Sequence, residues 1–444
     1  MLDVLRHSWA LLLGMALLMV GNGLQGTLLG VRGTAAGFSA FEMSMVMSGY
    51  FAGFLFASRM TPDMIRRVGH VRVFAALGSL ISAMLILFPA MQDPIAWTLM
   101  RVILGFCFCG VYVTAESWLN NSANNATRGK ALSAYMIVQM AGIIAAQALL
   151  VIPDASGFLL FVIPSVLVSV AFAPILLSIS PTPAFDSTKP MNLRELYKTS
   201  PLGIVGMFLL GGVISAQFGM AAVYATAAGL KLAQISIFVA AFYVGALVLQ
   251  YPLGWLSDRM DRRLLITAVA AMGAGAAVVA ALLGSVFVIL VASAFVVGGA
   301  TNPLYSLLIA YTNDFLDHED MASASAGLLF VNGVGAVSGP LAIGWVLQVV
   351  GPPGYFLLIA ALLGLMTLYG LYRMTRRAAP AAGDTGVYTP LAMQGTPVVV
   401  EAAQGYAAEA AAEAEAEEEA AEPEAEDPQM PKDSQLPEAT DRAA

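Results

Sequence analysis

The chain has 444 residues, of which 59% are hydrophobic and 11% are charged. Soluble globular domains carry about 25% charged residues, so this composition excludes an ordinary soluble enzyme. The net charge of −8 is the sum of two unlike parts. Residues 1–379 carry 19 basic and 14 acidic side chains, whereas residues 380–444 carry two basic and 15 acidic side chains. A mildly basic body with an acidic tail lacks the strongly basic domain that binds nucleic acid, so no nucleic-acid partner is expected.

Twelve apolar stretches are long enough to cross a bilayer as helices, which predicts an all-α membrane protein. We number them spans 1 to 12. Their approximate cores lie at 9–29, 43–61, 71–91, 95–118, 130–152, 158–179, 202–228, 233–256, 264–284, 286–312, 322–350 and 354–372.

The lysines and arginines outside the spans fall almost entirely in alternate loops. Within residues 1–379, counted from a cytoplasmic N-terminus, the inner loops and ends hold 16 of them, and the outer loops hold two, Arg32 and Lys231. Because inner loops are the basic ones, both termini are expected in the cytoplasm. The alternation also supports the count of twelve independently.

The longest inner connection divides the spans into six and six. It runs over residues 181–201, is rich in proline and then polar, and is interpreted as a cytoplasmic linker with a short surface helix. An N-terminal six-helix bundle is expected at 1–180 and a C-terminal one at 202–375. The Ala/Glu/Pro-rich remainder, 376–444, is expected to be a disordered acidic cytoplasmic tail.

A shift of 192 residues brings the first half of the chain onto the second. Gln25 then falls on Gln217, and Tyr50–Gly53 falls on Phe242–Gly245. Further matches follow span 4 and open span 5, so one register holds over about a hundred residues. This predicts two pseudo-symmetric bundles arranged as parallel repeats.

The inner loop between spans 8 and 9 reads GWLSDRMDRR, over residues 254–263. It resembles the signature loop of the major facilitator superfamily, G-x-x-x-D-R-x-G-R-R, with Asp261 in place of the second glycine. The resemblance implies the major facilitator fold and a conformational latch at Gly254, Asp258 and Arg259. The two further arginines, Arg262 and Arg263, are interpreted as positive charges that only fix the topology.

The equivalent loop between spans 2 and 3, residues 58–72, is degenerate. Proline stands at the expected glycine, and Arg66 stands at the expected aspartate. Asp63 lies three residues earlier and can reach the same helix face. The latch residues expected in this half are Asp63, Arg67 and Gly69.

Span 4 carries two charged residues. Arg101-Val-Ile-Leu-Gly105 resembles the R-x-x-x-G motif of many proton-coupled superfamily members, and a charge inside the membrane should face a cavity. Glu116 lies about 22 Å further along the helix, too far to pair with Arg101. The resemblance and this placement predict proton coupling by Glu116 and Arg101. The alternative is an interfacial acid paired with Arg128 or Lys130.

Uncharged polar residues inside the spans are expected to line a substrate cavity. Gln25 and Gln217 are favoured, because they match under the repeat shift in spans 1 and 7, which line the central cavity in the superfamily. The alternative for each is a bond to a neighbouring helix. Little fixed charge favours a neutral, zwitterionic or modestly amphipathic solute over a polyanion. The predicted set is Asn22, Gln25, Tyr112, Gln139, Gln217, Tyr224, Asn302, Tyr305 and Asn332.

The string ESWLN at 116–120, with Arg128-Gly129, resembles the YcaD-like branch of bacterial superfamily members. The resemblance extends over about residues 1–375 and implies a secondary active transporter of the bacterial cell inner membrane. Alternating access, proton coupling and efflux are the expected mechanism, with a small-molecule substrate, protons and the lipid bilayer as partners of a monomer. The alternatives are a uniporter, and a membrane sensor or scaffold that recruits a partner through its acidic tail.

No cofactor, metal site or enzymatic activity is predicted. Cys107 and Cys109 are two residues apart on a helix and point to different faces. The three histidines lie in loops, and no phosphate-binding loop ending in Lys-Ser/Thr is present, which argues against ATP hydrolysis.

Overall fold

The computed structural model describes residues 2–122, 125–151, 157–177, 190–376, 388–391 and 395–405. Twelve helical stretches among these residues are long and apolar enough to cross a membrane, as predicted. Spans 1 to 6 are α1 to α6, span 7 is α8 with α9, and spans 8 to 12 are α10 to α14. The helices are α1 (Leu2–Ala35), α2 (Ala40–Val68), α3 (His70–Leu87), α4 (Pro94–Ser122), α5 (Asn125–Leu149), α6 (Leu159–Leu177), α7 (Leu193–Thr199), α8 (Pro201–Ser215), α9 (Ala221–Ala227), α10 (Leu232–Ser257), α11 (Arg262–Leu283), α12 (Phe287–Asn313), α13 (His318–Val350) and α14 (Pro353–Met374).

Local side chains and backbone set the ends of these apolar helices. Helix α2 begins with a capping box, in which Ser39 Oγ accepts from the Glu42 amide at 3.2 Å and the Glu42 carboxylate accepts from the Ser39 amide at 2.7 Å. It ends at Gly69, whose φ of +85° allows α3 to start after one residue. The short surface helix α7 begins after Asn192, whose side chain caps it.

The same close helix pairing occurs in both halves of the chain. A Cβ built at Gly53 of α2 would lie 1.9 Å from the carbonyl oxygen of Val102 in α4. One built at Gly245 of α10 would lie 1.9 Å from the carbonyl oxygen of Phe295 in α12. Backbones this close require glycine, and the two glycines are the pair that the 192-residue shift superimposes.

The two halves touch mainly on one side of the bundle. We call the side that carries the α2–α3 and α10–α11 loops the basic face, and the other side the opposite face. Toward the opposite face, a Cβ at Gly344 would lie 2.4 Å from Ser44 Cβ, and Ser236 Oγ donates to the carbonyl of Gln147. Toward the basic face, a cavity and parts of the tail, residues 388–391 and 395–405, lie between the halves.

Part of the expected disordered tail is structured and packs against the bundle. Residues 397–405 form a helix, α15, and Leu391, Val399 and Val400 are buried. Within 388–391 and 395–405 the expectation of disorder was therefore wrong. Tyr388, Leu391, Val399 and Val400 are apolar enough to be buried there, although the average composition of the tail favours disorder. The acidic remainder, 406–444, lies outside the described residues.

Candidate transport pathway

A cavity of about 320 Å³ lies between α2 of one half and α13 of the other. Its inner wall is mostly apolar, and its charged groups lie near the basic face. Residues 395–398 and Glu401 of the tail segment form part of its lining. The apolar and polar lining includes Tyr50, Phe51, Phe54, Leu55, Val113, Ile214, Tyr305, Leu329, Phe330 and Asn332, and the charged lining includes Arg59, Asp63 and Arg66.

A polar centre surrounds Arg101 in the middle of the N-terminal half. Arg101 is fully buried; its Nη1 donates to Gln25 Oε1 at 2.9 Å, and its guanidinium carbon lies 4.6 Å from the Tyr50 ring centroid. Asn22 Nδ2 donates to the hydroxyls of Tyr112 at 2.9 Å and Tyr50 at 3.3 Å. Helices α1, α2 and α4 thus bring Asn22, Gln25, Arg101 and Tyr112 into one cluster, which Tyr50 connects to the cavity.

Gln217 lies on the facing half, in a π-helical turn over Ala216–Met220. Such turns insert one residue into a helix and are frequent at functional sites. Gln217 Oε1 accepts from Thr301 Oγ1 at 3.1 Å, and its Nε2 has no hydrogen-bond partner within the described residues.

Glu116 is buried near the basic face and is held by neutral groups. Tyr135 Oη donates to its Oε1 at 3.1 Å, and the backbone amide of Thr396 donates to its Oε2 at 3.1 Å. The Thr396 hydroxyl also donates to Oε2. In the part of the chain that the structure describes, neither Arg128 nor Lys130 forms an ion pair with Glu116.

The expected latch loop contacts the tail segment. Asp258 Oδ1 accepts from the backbone amide of Tyr388 at 2.8 Å and lies 3.6 Å from Arg262 Nη2. A Cβ at Gly254 would lie 2.7 Å from the Tyr388 ring, so glycine there admits the aromatic ring. Arg259 is exposed and lies over the Trp255 ring, 4.3 Å from its centroid.

Arg262 and Arg263 are not merely topogenic charges, because both are buried. Arg262 forms a buried ion pair with Asp314 at the end of α12, and its Nε donates to Ser257 Oγ at 3.1 Å. Arg263 pairs with Asp261 at 3.2 Å. Sequence reasoning did not single out Asp314, whose only signal was its position just after span 10.

The equivalent corner of the N-terminal half is exposed. Asp63 and Arg66 form an ion pair at 2.5 Å whose side chains are 61% and 49% exposed. Arg67 is exposed, and Gly69 provides the positive φ of the corner.

The remaining predicted cavity residues occupy different surroundings. Tyr305 and Asn332 line the cavity, although Asn332 Nδ2 also donates to the Met207 carbonyl at 3.1 Å. Gln139 hydrogen-bonds Tyr135 beside Glu116. Tyr224 stacks on an aromatic ring of α14 and lies away from the cavity lining.

Asn302 belongs to a polar chain that reaches the tail. Asn302 Nδ2 donates to Gln250 Oε1 at 2.6 Å, and Gln250 Nε2 donates to the Tyr388 hydroxyl at 2.7 Å. Ser306 Oγ accepts from the Leu391 amide at 3.0 Å. Burial raises the pKa of the Tyr388 phenol well above its usual range, so it remains neutral.

Comparisons with known proteins agree with this architecture. A family model described as Major Facilitator Superfamily matches residues 11–238 and 203–388. A protein of Salmonella arizonae named "Uncharacterized MFS-type transporter YcaD" is 27% identical over 360 residues, which cover 79% of this chain and 91% of that protein. The protein of the same name from Salmonella typhi is 25% identical over 385 residues, covering 85% and 98%.

Solved transporter structures share the fold. A mutant of the nucleoside transporter NupG superimposes with a TM-score of 0.70 at 14% identity, covering 82% of this chain and 99% of that one. The transporter FucP in the outward conformation gives 0.53 at 13% identity, covering 82% and 97%. At these identities the likeness concerns the fold alone.

Proposed function

The chain belongs to the major facilitator superfamily and is a secondary transporter of its YcaD-like branch; we propose that it carries a small solute across the bacterial inner membrane by alternating access, coupled to protons. It is not an enzyme. We also propose that the basic face is cytoplasmic, since loops rich in arginine and lysine stay on that side. The termini would then lie in the cytoplasm.

The observation that carries alternating access is the asymmetric contact between the two halves. They pack closely toward the opposite face, as at Gly344 and Ser44. Toward the basic face a cavity lies between them, and α2 touches α13 through side chains, as where Arg59 lies 4.2 Å from the Phe330 ring centroid. Rocking about the polar centre would close one side and open the other. The orientation proposed above makes this an inward-facing arrangement.

Glu116 is the residue we propose as the proton carrier. It is buried, its partners are hydroxyl and amide groups, and it lies near the basic face beside Thr396, which lines the cavity. An acid inside a membrane protein without a cationic partner is typical of proton relays. Arg101 would contribute from the polar centre.

Export is the direction we propose. In the arrangement described, the apolar cavity lies on the side from which a cytoplasmic solute would enter. Such a wall favours an amphipathic solute over a strongly hydrated one.

Solute flux into vesicles with an imposed pH gradient tests the coupling. Glu116→Gln preserves the shape of the side chain and removes its titration, so gradient-driven flux should fall to the level of passive exchange. Glu319→Gln, an exposed acid on the same face, is the matched control and should retain full flux. Undiminished coupled flux in Glu116→Gln would leave a uniporter, with Glu116 structural, as the correct interpretation.

A further inference from the structure

The buried guanidinium of Arg101 has no counter-ion among the described residues. Its contacts are the Gln25 amide oxygen at 2.9 Å, Met47 Sδ at 3.5 Å and the Tyr50 ring. None of these groups carries a negative charge, and no ion pair in the described part of the chain includes Arg101. A cation taken out of water without an anion is strongly unfavourable, so the site is electrostatically incomplete.

Unused hydrogen-bond donors lie around the same point. Arg101 Nε and Gln25 Nε2 are buried without a partner. On the facing half, Gln217 Nε2 also has none, and the carbonyl oxygen of the next residue, Phe218, lies 3.6 Å from a Cβ built at Gly26. A guanidinium fork with neighbouring amide donors is the set that a carboxylate accepts from.

The Tyr50 ring separates this charge from the cavity. It covers the guanidinium on one side and lines the cavity with Phe51, Phe54 and Leu329 on the other. A group anchored at Arg101 would extend past Tyr50 toward the apolar inner wall of the cavity.

We propose that the substrate is a small amphipathic monoanion, whose carboxylate binds Arg101 and Gln25 and whose apolar body occupies the cavity. This rests on the proposed function, because it names the substrate class of the same site. It narrows the sequence-based expectation of a neutral, zwitterionic or modestly amphipathic solute.

The test uses aryl and alkyl carboxylic acids of six to ten carbons, each paired with its primary amide. Binding to the purified full chain is measured by thermal stabilisation, since a bound ligand raises the melting temperature. A charge-assisted bond predicts that at least one acid binds about tenfold or more tightly than its amide. Arg101→Gln should abolish this preference, and Arg101→Lys should restore part of it.

Arg72→Gln removes the same charge from an exposed position and should leave the preference unchanged. The proposal is overturned if no acid stabilises the chain at millimolar concentration, if amides bind as well as acids, or if Arg101→Gln keeps the preference. If amides bind and are carried in proteoliposomes, the anion assignment fails while the transporter stands. If the acids bind but none is carried, the proposed function fails instead.

A different set of contacts concerns residues 388–391 and 395–405, which we call the tail plug. The plug bonds to both halves: Asp258 and Gln250 of the C-terminal half hold Tyr388, and Glu116 of the N-terminal half holds Thr396. Its helix α15 is bonded to α13 through Gln404 Nε2, which donates to the hydroxyl of a serine there at 2.5 Å. Residues 395–398 of the plug also line the cavity.

A segment held between two halves opposes their approach. Closing the basic face would bring α4 and α10 toward each other, and the space that Tyr388 and Thr396 occupy would be lost. We infer that the tail plug is an autoinhibitory element that occupies the basic-face mouth, covers Glu116 and must leave before the transporter can complete its cycle.

Thiol labelling tests this without a known substrate. Ser58 lines the cavity, so Ser58→Cys reports access from the basic face to a membrane-impermeant maleimide. Removing residues 388–444 should raise its labelling rate about tenfold, because the mouth opens. Removing only 406–444 should leave the rate unchanged. The chain without Ser58→Cys gives the background labelling rate that is due to the buried native cysteines, Cys107 and Cys109.

Arg67→Cys, exposed on the same face, should label equally in all chains. In the full-length chain, Tyr388→Phe with Thr396→Val removes the hydrogen bonds of these two side chains and leaves that of Gln404. It should raise the Ser58→Cys rate by a smaller factor, about threefold. An unchanged rate in both the truncated and the doubly substituted chain would refute the plug. This readout does not depend on transport or proton coupling.

Discussion

The ion pair between Arg262 and Asp314 gives the sharpest energetic prediction. Their side chains are only 2% and 3% exposed. Asp314→Ala would leave the Arg262 guanidinium buried, with Asp258 at 3.6 Å as the nearest remaining carboxylate of the described pairs. Breaking one side of a buried pair costs about 3–5 kcal/mol. Because Asp258 is 37% exposed and can reorient toward the arginine, we expect the lower end, about 3 kcal/mol.

The assay is the free energy of unfolding in mixed detergent–SDS micelles. Asp63→Ala is the matched control, since it breaks the equivalent but exposed pair with Arg66, and such a pair contributes at most about 1 kcal/mol. Replacing both partners, Arg262→Met with Asp314→Leu, should recover most of the loss, because no unpaired charge remains. If Asp314→Ala and Asp63→Ala destabilise equally, the argument from burial is wrong.

Three further substitutions test packing and backbone. Gly105→Val would place Cβ 1.8 Å from a carbonyl oxygen of α2 and should reduce the unfolding free energy by about 3 kcal/mol or prevent folding, whereas Gly364→Ala meets nothing within 4 Å and should be neutral in the same micelle assay. Gly69→Ala forces φ of +85° with ψ of 159° on an L-residue and should cost about 1–3 kcal/mol; no loss would contradict the corner geometry. Ser48→Ala removes a 2.6 Å bond to the Val337 carbonyl across the halves, about 1 kcal/mol, and should weaken contact toward the opposite face, as measured by cysteine crosslinking there.

Local patterns were sufficient for the helices. Spans 2 and 10, for example, were expected around 43–61 and 286–312, and the structure has Ala40–Val68 and Phe287–Asn313. Every backbone polar group inside a bilayer must be satisfied within the segment, so a long apolar run has few alternatives to a helix. The π-helical turn at Gln217 left no such signal, because it depends on packing against the neighbouring helices.

The candidate site was predictable as a set of residue types and only partly as a geometry. Arg101 and Gln25 stood out because polar groups are rare in spans. The hydrogen bond between them, however, joins two helices and two residues that are 76 positions apart in the sequence. Tyr224 is also a polar residue inside a span, but its ring stacks in an aromatic cluster of the C-terminal half. Which face of a span a residue occupies decides between these roles, and the weak amphipathicity of uniformly apolar helices does not reveal it.

The tail shows the limit of composition most clearly. Averaged over 376–444, acidic and small residues favour disorder, yet Tyr388, Leu391 and Val400 are buried against the bundle. The surface that buries them exists only in the folded bundle, where Gln250, Asp258 and Ser306 contact Tyr388 and Leu391. The average composition of the tail therefore cannot predict this burial.

By itself, the sequence determined the number of membrane helices, the alternation of basic loops and the repeat that relates the two halves. These properties depend on transfer of segments from water to lipid and on charge at the ends of each segment, which are local quantities. Only the tertiary structure decided that Glu116 meets Thr396, that Asp314 neutralises Arg262 and that, among the described residues, no acid pairs with Arg101. Those outcomes depend on which polar groups the fold brings within hydrogen-bonding distance of one another. In an interior without water, a buried charge or donor can pair only with such neighbouring groups.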